Sequence, residues 1–170
     1  MVKPPSGTFV GRSDSTVYMG IDPGKAGGIV VLYGKQVETY PMPGTVHDVG
    51  AIFKKWGRNL DCKAVIEKVS ASPQMGVTSA FTFGNGFGWL QMALDMADIK
   101  VEELTPQVWM KGLNIPPRKK DMSDGEWKKS LRGRAQKLYP FLPCWMWKNI
   151  GLQLCVTDAL LIATYCKQRG

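Results

Sequence analysis

Histidine is almost absent from this chain, which has one, His47, and its four cysteines, Cys62, Cys144, Cys155 and Cys166, include no Cys-x-x-Cys pair. Zinc centres need clustered Cys and His ligands, so none is expected here. The sequence also has no secretory apolar core and therefore no sign of an oxidising compartment, so the cysteines are expected to be reduced thiols, mostly buried. No stretch reads as approaching the roughly 18 apolar residues of a membrane span. Neither a membrane nor a small-molecule substrate is expected as a partner. Internal repeats are missing too, which excludes solenoids and propellers.

Acidic residues are scarce: 14 Asp and Glu face 22 Lys and Arg, for a formal charge of +8. Such an excess points to an acidic partner, for which nucleic acid is the commonest candidate. The excess is local, because residues 111–137 hold nine Lys/Arg and three Asp/Glu. With 170 residues, 44% of them hydrophobic, the chain suits one core. Residues 1–16, rich in Pro, Gly and Ser, read as a flexible N-terminal tail, and 17–170 as a single domain.

What is present follows a regular order. Val17–Asp22 and Gly28–Tyr33 are short apolar runs around a Pro-Gly turn, and Val37–Tyr40 alternates, predicting an antiparallel meander. Thr45 can cap a helix through Val46, Val49, Ile52, Phe53 and Trp56, stopped by Gly57. Ala64–Glu67 is a short buried strand that the preceding helix allows to run parallel to the first. Residues 70–88 read as a loop leading into a helix whose spacing is clear from Trp89 to Met96, and Lys100–Leu104 as a fifth strand. Thr105-Pro106 opens a short helix ended by Gly112. Ser123-Asp-Gly-Glu126 fits a capping box ahead of a helix with an apolar stripe of Trp127, Leu131, Ala135 and Leu138. Leu152–Tyr165 is apolar nearly all round, which predicts a buried final helix.

Three carboxylates stand where charge is costly: Asp22 and Glu67 end apolar strands, and Asp158 interrupts the apolar helix. Buried carboxylates need a compensating partner, and no Lys or Arg lies within two positions of Asp22 or Asp158. A divalent cation is the natural counter-charge, and hard oxygen donors favour magnesium or manganese. Such a cluster can serve phosphodiester hydrolysis. Each carboxylate taken alone also fits an ordinary turn, a solvated strand end or a locally bonded helix residue.

Gly20-Ile-Asp-Pro-Gly24, Ala64-Val-Ile-Glu67 and Thr157-Asp-Ala-Leu-Leu-Ile-Ala163 resemble, in order and spacing, the three signature segments of the RuvC-type Holliday-junction resolvases. The resemblance spans about Val17 to Arg169. It implies an α/β, RNase H-like fold with a five-stranded mixed sheet in order 3-2-1-4-5 flanked by helices. It also implies a crossover junction endodeoxyribonuclease of DNA recombination and repair: a homodimer that binds branched DNA and makes paired nicks in four-way junctions. Asp22, Glu67 and Asp158 would be catalytic and would ligate Mg²⁺, two ions per active site, with Mn²⁺ able to substitute. A cytoplasmic or nucleoid location, a DNA-containing organelle or a phage-infected cell follows.

The resemblance implies a DNA-binding surface as well. Lys111, Arg118, Lys119 and Lys120 resemble the family's basic segment, each able to neutralise a phosphate, which would make binding salt-dependent. Lys128, Lys129, Arg132 and Lys137 fit a solvated helix face equally well. Phe81 or Phe83 could stack on unpaired bases or belong to the core. Phe83-Gly-Asn-Gly-Phe-Gly88 resembles the phage and organellar branches, where this segment opens a helix near the junction, and Gly84, Gly86 and Gly88 would let phosphate approach the backbone. In one respect the chain departs from the family: a fourth carboxylate is usual about one turn before the helix aspartate, where this chain has Leu154 and Cys155. That leaves open a non-catalytic or weakly catalytic junction-binding protein. A sugar-kinase or actin-like ATPase reading fits the aspartate and glycine turn, but those folds need two such domains and the strand-turn-strand pattern occurs once.

Overall fold

The computed structural model describes residues 16–57, 61–68 and 74–170. Apart from Thr16, the expected N-terminal tail lies outside the described residues. Strands β1 (Val17–Asp22), β2 (Gly28–Tyr33), β3 (Gln36–Pro41), β4 (Cys62–Glu67) and β5 (Lys100–Leu104) form one sheet in the order β3-β2-β1-β4-β5. β1 to β3 form the antiparallel meander, whereas β4 runs parallel to β1, and β5 to β4. Helix α1 (Val46–Gly57) provides the crossover from β3 to β4. Thr45 Oγ1 caps it by accepting from the backbone N–H of Asp48 at 3.2 Å.

Side chains alternate along each strand and so build two cores, one on each face of the sheet. Val17, Met19 and Ile21 of β1 join Cys62, Ala64 and Ile66 of β4 under α1 and α2 (Val77–Met96). On the opposite face, Val30, Leu32 and Val65 pack beneath α3 (Pro106–Gly112), α4 (Asp124–Leu138) and α5 (Ile150–Arg169). The Ser123/Glu126 capping box that starts α4 is formed in both directions. A 3₁₀ turn, Pro143–Met146, leads to α5, and half-buried Trp145 and Trp147 pack against this second core, Trp145 donating to the Tyr139 carbonyl at 2.7 Å.

Two expectations need correction. The glycine-rich segment Phe83–Gly88 does not open a helix; it lies inside α2, which starts at Val77. Glycine costs a helix about 1 kcal/mol relative to alanine, but Phe83, Phe87, Leu90 and Leu94 recur on one face, and the last three pack into the first core. Tertiary burial overrides the local preference. The second correction concerns α5, whose 20 residues are long and apolar enough to cross a membrane. They are apolar because Val156, Ala159, Leu160, Ile162 and Ala163 are fully buried in the second core.

The other face of α2 bears an apolar stripe that covers nothing among the described residues. Val77, Phe81 and Met92 are exposed, Phe81 by 74%. Gly84 and Gly88 fall on the same stripe at helical spacing, and a Cβ at either would meet nothing within 4 Å. No contact within the described chain therefore requires glycine at either position.

Candidate active site

The strand alternation that buries Val17, Met19 and Ile21 against α1 and α2 turns Tyr18, Gly20 and Asp22 to the α5 face. The same alternation in β4 turns Lys63, Val65 and Glu67 that way. Because Ile21 pairs with Ile66 in the parallel register, the next positions along, Asp22 and Glu67, emerge side by side. Helix α5 brings the third carboxylate to them. Cys155, Ala159 and Ala163, spaced four apart, lie against glycines of β1 and β2: a Cβ on Gly20 would sit 2.1 Å from the Ala159 carbonyl oxygen, and one on Gly28 would sit 2.7 Å from that of Cys155. Only glycine permits this approach, which sets Asp158 beside the strand ends.

The electrostatics follow from this proximity. Burial, and then the charges of Asp158 and Glu67, raise the Asp22 carboxyl to about 8. Burial followed by Glu67 raises Asp158 to about 7, and burial raises Glu67. These are the signs expected when like charges share a poorly solvated site. Among the described residues, the cation that opposes them is Lys128 of α4, which pulls both Asp22 and Asp158 down.

The donors are hard carboxylates with negative charge in excess, which is the chemistry a magnesium or manganese ion compensates. Among the described residues, however, no three His, Cys, Asp or Glu side chains are grouped to hold one ion. The triad expected from the sequence is adjacent but not convergent. Like charges repel, and Glu67 Oε2 accepts a 2.9 Å hydrogen bond from the indole N–H of Trp109. Half-buried Leu154 and Cys155 stand in the preceding turn of α5, and the Cys155 thiol, raised by burial and then by Asp22, lies in the field of that carboxylate.

Trp109 and Lys128 are the residues that sequence reasoning missed. Trp109 is fully buried on α3. A buried tryptophan must find an acceptor for its N–H, which is the signal that could have singled it out. In the sequence Lys128 fits a phosphate contact and a solvated helix face equally well, and only the packing of α4 against α5 brings its charge to bear on the carboxylates. Trp109→Phe keeps an aromatic ring but removes the donor that holds the Glu67 carboxyl down. We expect the Glu67 pKa to rise, read by carboxyl ¹³C NMR titration, and an unmoved Glu67 would show that the indole does not bear on it.

The candidate DNA-contacting residues lie on α2, on α3 and on the segment between α3 and α4. Lys111, Lys119 and Lys120 are exposed on α3 and on the segment joining it to α4, the two helices that supply Trp109 and Lys128. Arg118 is engaged locally: it forms an ion pair with Asp124 and donates to the Met122 carbonyl, from Nε at 2.9 Å. It secures the loop onto the start of α4. Phe81 points to solvent, whereas Phe83 lies close to Gly24 in the turn after Asp22, its ring 3.3 Å from where a Cβ there would be. Gly84 and Gly86 are helical, so neither contributes a loop or a helix N-terminus.

No protein-family profile matches the chain, and neither does any curated protein. Solved structures do match. RuvC of Thermus thermophilus in complex with a Holliday junction substrate superposes with a TM-score of 0.56 at 16% identity, covering 90% of this chain and 96% of that one. A second Thermus thermophilus RuvC structure gives a TM-score of 0.52 at 18% identity with the same coverage. Sheet order, the helices on both faces and this likeness over nearly the whole of both chains identify the fold as the RNase H-like fold of RuvC.

Proposed function

We propose that this chain is a metal-dependent, structure-selective endonuclease that binds four-way DNA junctions and resolves them by paired nicks. The observation that carries the reading is the carboxylate cluster itself: Asp22, Glu67 and Asp158, from two strands and a buried helix, share one poorly solvated site, opposed among the described residues by Lys128. A stable core has no use for such an arrangement, since uncompensated buried charge costs several kcal/mol. The fold it shares with a protein solved on a Holliday junction adds support.

Magnesium, or manganese in its place, would be held by Asp22, Glu67 and Asp158, supplying a Lewis acid that activates water and stabilises the leaving oxygen. The chain's own residues do the rest. Trp109 fixes one Glu67 oxygen. Lys128 carries positive charge to a phosphate placed over the cluster, and Lys111, Lys119 and Lys120 can hold the backbone on either side.

The reading includes a homodimer, joined through the stripe of Val77, Phe81, Gly84, Gly88 and Met92. Gly84 and Gly88 weaken the helix by about 1 kcal/mol each relative to alanine, a cost that close approach of a second helix would offset. Phe81→Glu with Met92→Glu should convert a dimer to a folded monomer, measured by sedimentation equilibrium. A dimer unchanged by both charges would place the interface elsewhere.

A second reading, a junction-binding protein that cuts poorly or not at all, is favoured by Leu154 and Cys155 standing where a fourth carboxylate would be expected. A synthetic four-way junction with Mg²⁺ or Mn²⁺ separates the two. Symmetric nicks support the resolvase. Tight binding without cleavage in either metal supports the binding module, and equal cutting of duplex, flap and junction leaves only a general nuclease.

A further inference from the structure

Residues 138–152, from the end of α4 to the first turn of α5, hold five of the twelve large apolar side chains that stand exposed among the described residues: Leu138, Phe141, Met146, Ile150 and Leu152. We propose that this segment is a docking surface for another protein, whose contacting part is an acidic amphipathic segment, apolar side chains flanked by Asp and Glu. The inference is independent of the nuclease reading and goes beyond it.

The exposed side chains project from a backbone that is held in place. Leu142, Cys144, Trp145 and Trp147 pack into or against the second core, while Phe141 and Met146 between them are 96% and 84% exposed. Trp145 donates to the Tyr139 carbonyl at 2.7 Å, and the buried Gln153 amide donates to the carbonyls of Trp145 and Trp147 at 3.2 and 2.6 Å. The two Gln153 bonds bring the start of α5, with Ile150 and Leu152, against the turn that carries Met146. Pro140 and Pro143 restrict the backbone on either side of Phe141-Leu142. A surface fixed before it binds loses little freedom on binding, and clustered exposed apolar side chains mark interaction sites.

Composition and charge select the occupant. The centres of protein interfaces are rich in aromatic residues and Met and poor in charge; residues 138–152 contain four aromatic side chains and a single charge, Lys148. A surface built for DNA phosphate would instead carry several cations. Around this apolar centre the charge is of one sign, since residues 127–157 include six Lys and Arg and no Asp or Glu. Glu38 on β3, the strand that Cys144 meets through Thr39, is paired with Lys55 of α1 on the other face of the sheet. A second copy of the chain would therefore set like charges against each other, whereas Asp and Glu at the rim of a partner would meet cations.

The test uses the full chain and two fluorescein-labelled amphipathic peptides that share one leucine face, flanked by Glu in the first and by Lys in the second. Fluorescence anisotropy should show the Glu peptide binding at least about 10-fold more tightly than the Lys peptide. Phe141→Ser combined with Met146→Ser should weaken that binding by about 10-fold or more, with melting temperature, sedimentation and junction affinity unchanged, because both side chains face solvent. Equal binding of the two peptides, or no binding of the Glu peptide at about 100 µM, would overturn the proposal. A double variant that loses junction affinity would make the segment a DNA surface, and one that changes sedimentation without peptide would give it to a second copy; either result overturns the proposal too. Junction cleavage tests the nuclease reading separately, so the two can fail independently.

Discussion

Asp22→Asn is expected to abolish nicking of a four-way junction while leaving junction binding in place. Asp22 is the most perturbed of the three carboxylates, raised by burial and by both neighbours to about 8. Asparagine retains its shape and one oxygen but cannot supply the negative charge that a cation in this site would need. The expected loss is about 1000-fold or more, roughly 4 kcal/mol of transition-state stabilisation. Electrophoretic binding and single-turnover cleavage on the same junction separate the two effects. A variant that cuts within about 10-fold of wild type would remove Asp22 from the mechanism.

The same substitution should stabilise the metal-free protein at alkaline pH, and the sign follows from linkage. In the unfolded chain Asp22 and Asp158 titrate near 4; folded, near 8 and 7. Between those limits the folded state holds more protons than the unfolded one, so metal-free stability falls as pH rises from about 4 to about 8 and levels off above. Asp22→Asn removes one contributor and should add about 1–3 kcal/mol at pH 8.5 and almost nothing at pH 4. Mg²⁺ or Mn²⁺ should raise the melting temperature of the wild type more at pH 8.5 than at pH 5.5. A wild type whose metal-free melting temperature rose over that interval would contradict the buried cluster.

Gly20→Ala carries the largest expected loss of stability. The added methyl would sit 2.1 Å from the Ala159 carbonyl oxygen and 2.2 Å from the Ala163 nitrogen, both backbone atoms of the helix at the centre of the second core. Neither can move unless α5 lifts off β1. We expect about 3–5 kcal/mol of destabilisation by urea unfolding, at or beyond the upper end for overpacking because the contact is with backbone. A loss below about 1 kcal/mol would show that the helix–strand contact is looser than the geometry implies. Since the same contact positions Asp158, any folded fraction should also show a lower Asp158 pKa, as the helix withdraws from Glu67.

The local elements of this fold are legible because their signals are short-range. β1, β2 and α1 follow from apolar runs and turn residues, and α4 from a capping box. The sheet order came from the family resemblance, with parallel pairing of β1 and β4 suggested by the helix between them. Asp22, Glu67 and Asp158 could be singled out because a charge at the end of an apolar strand or within an apolar helix is conspicuous in one dimension. Residues 83–88 misled because glycine speaks against a helix locally, whereas α2 is held by Phe87, Leu90 and Leu94 packing on the sheet. Trp109 and Lys128 were invisible as site residues because their roles depend on α3 and α4 crossing the α5 face, about 40 and 60 residues from Glu67 along the chain.

By itself, then, the sequence determined which carboxylates sit at a cost and which strands they end, because burial and periodicity are written residue by residue. The tertiary structure alone decided that Glu67 is held by Trp109, that Lys128 opposes the carboxylates, that Arg118 serves its own loop, and that Phe83 lies against the turn after β1 while Phe81 faces outward. The physical reason is the same in each case: a side chain's partner is set by how elements cross in three dimensions, and no local pattern encodes that crossing.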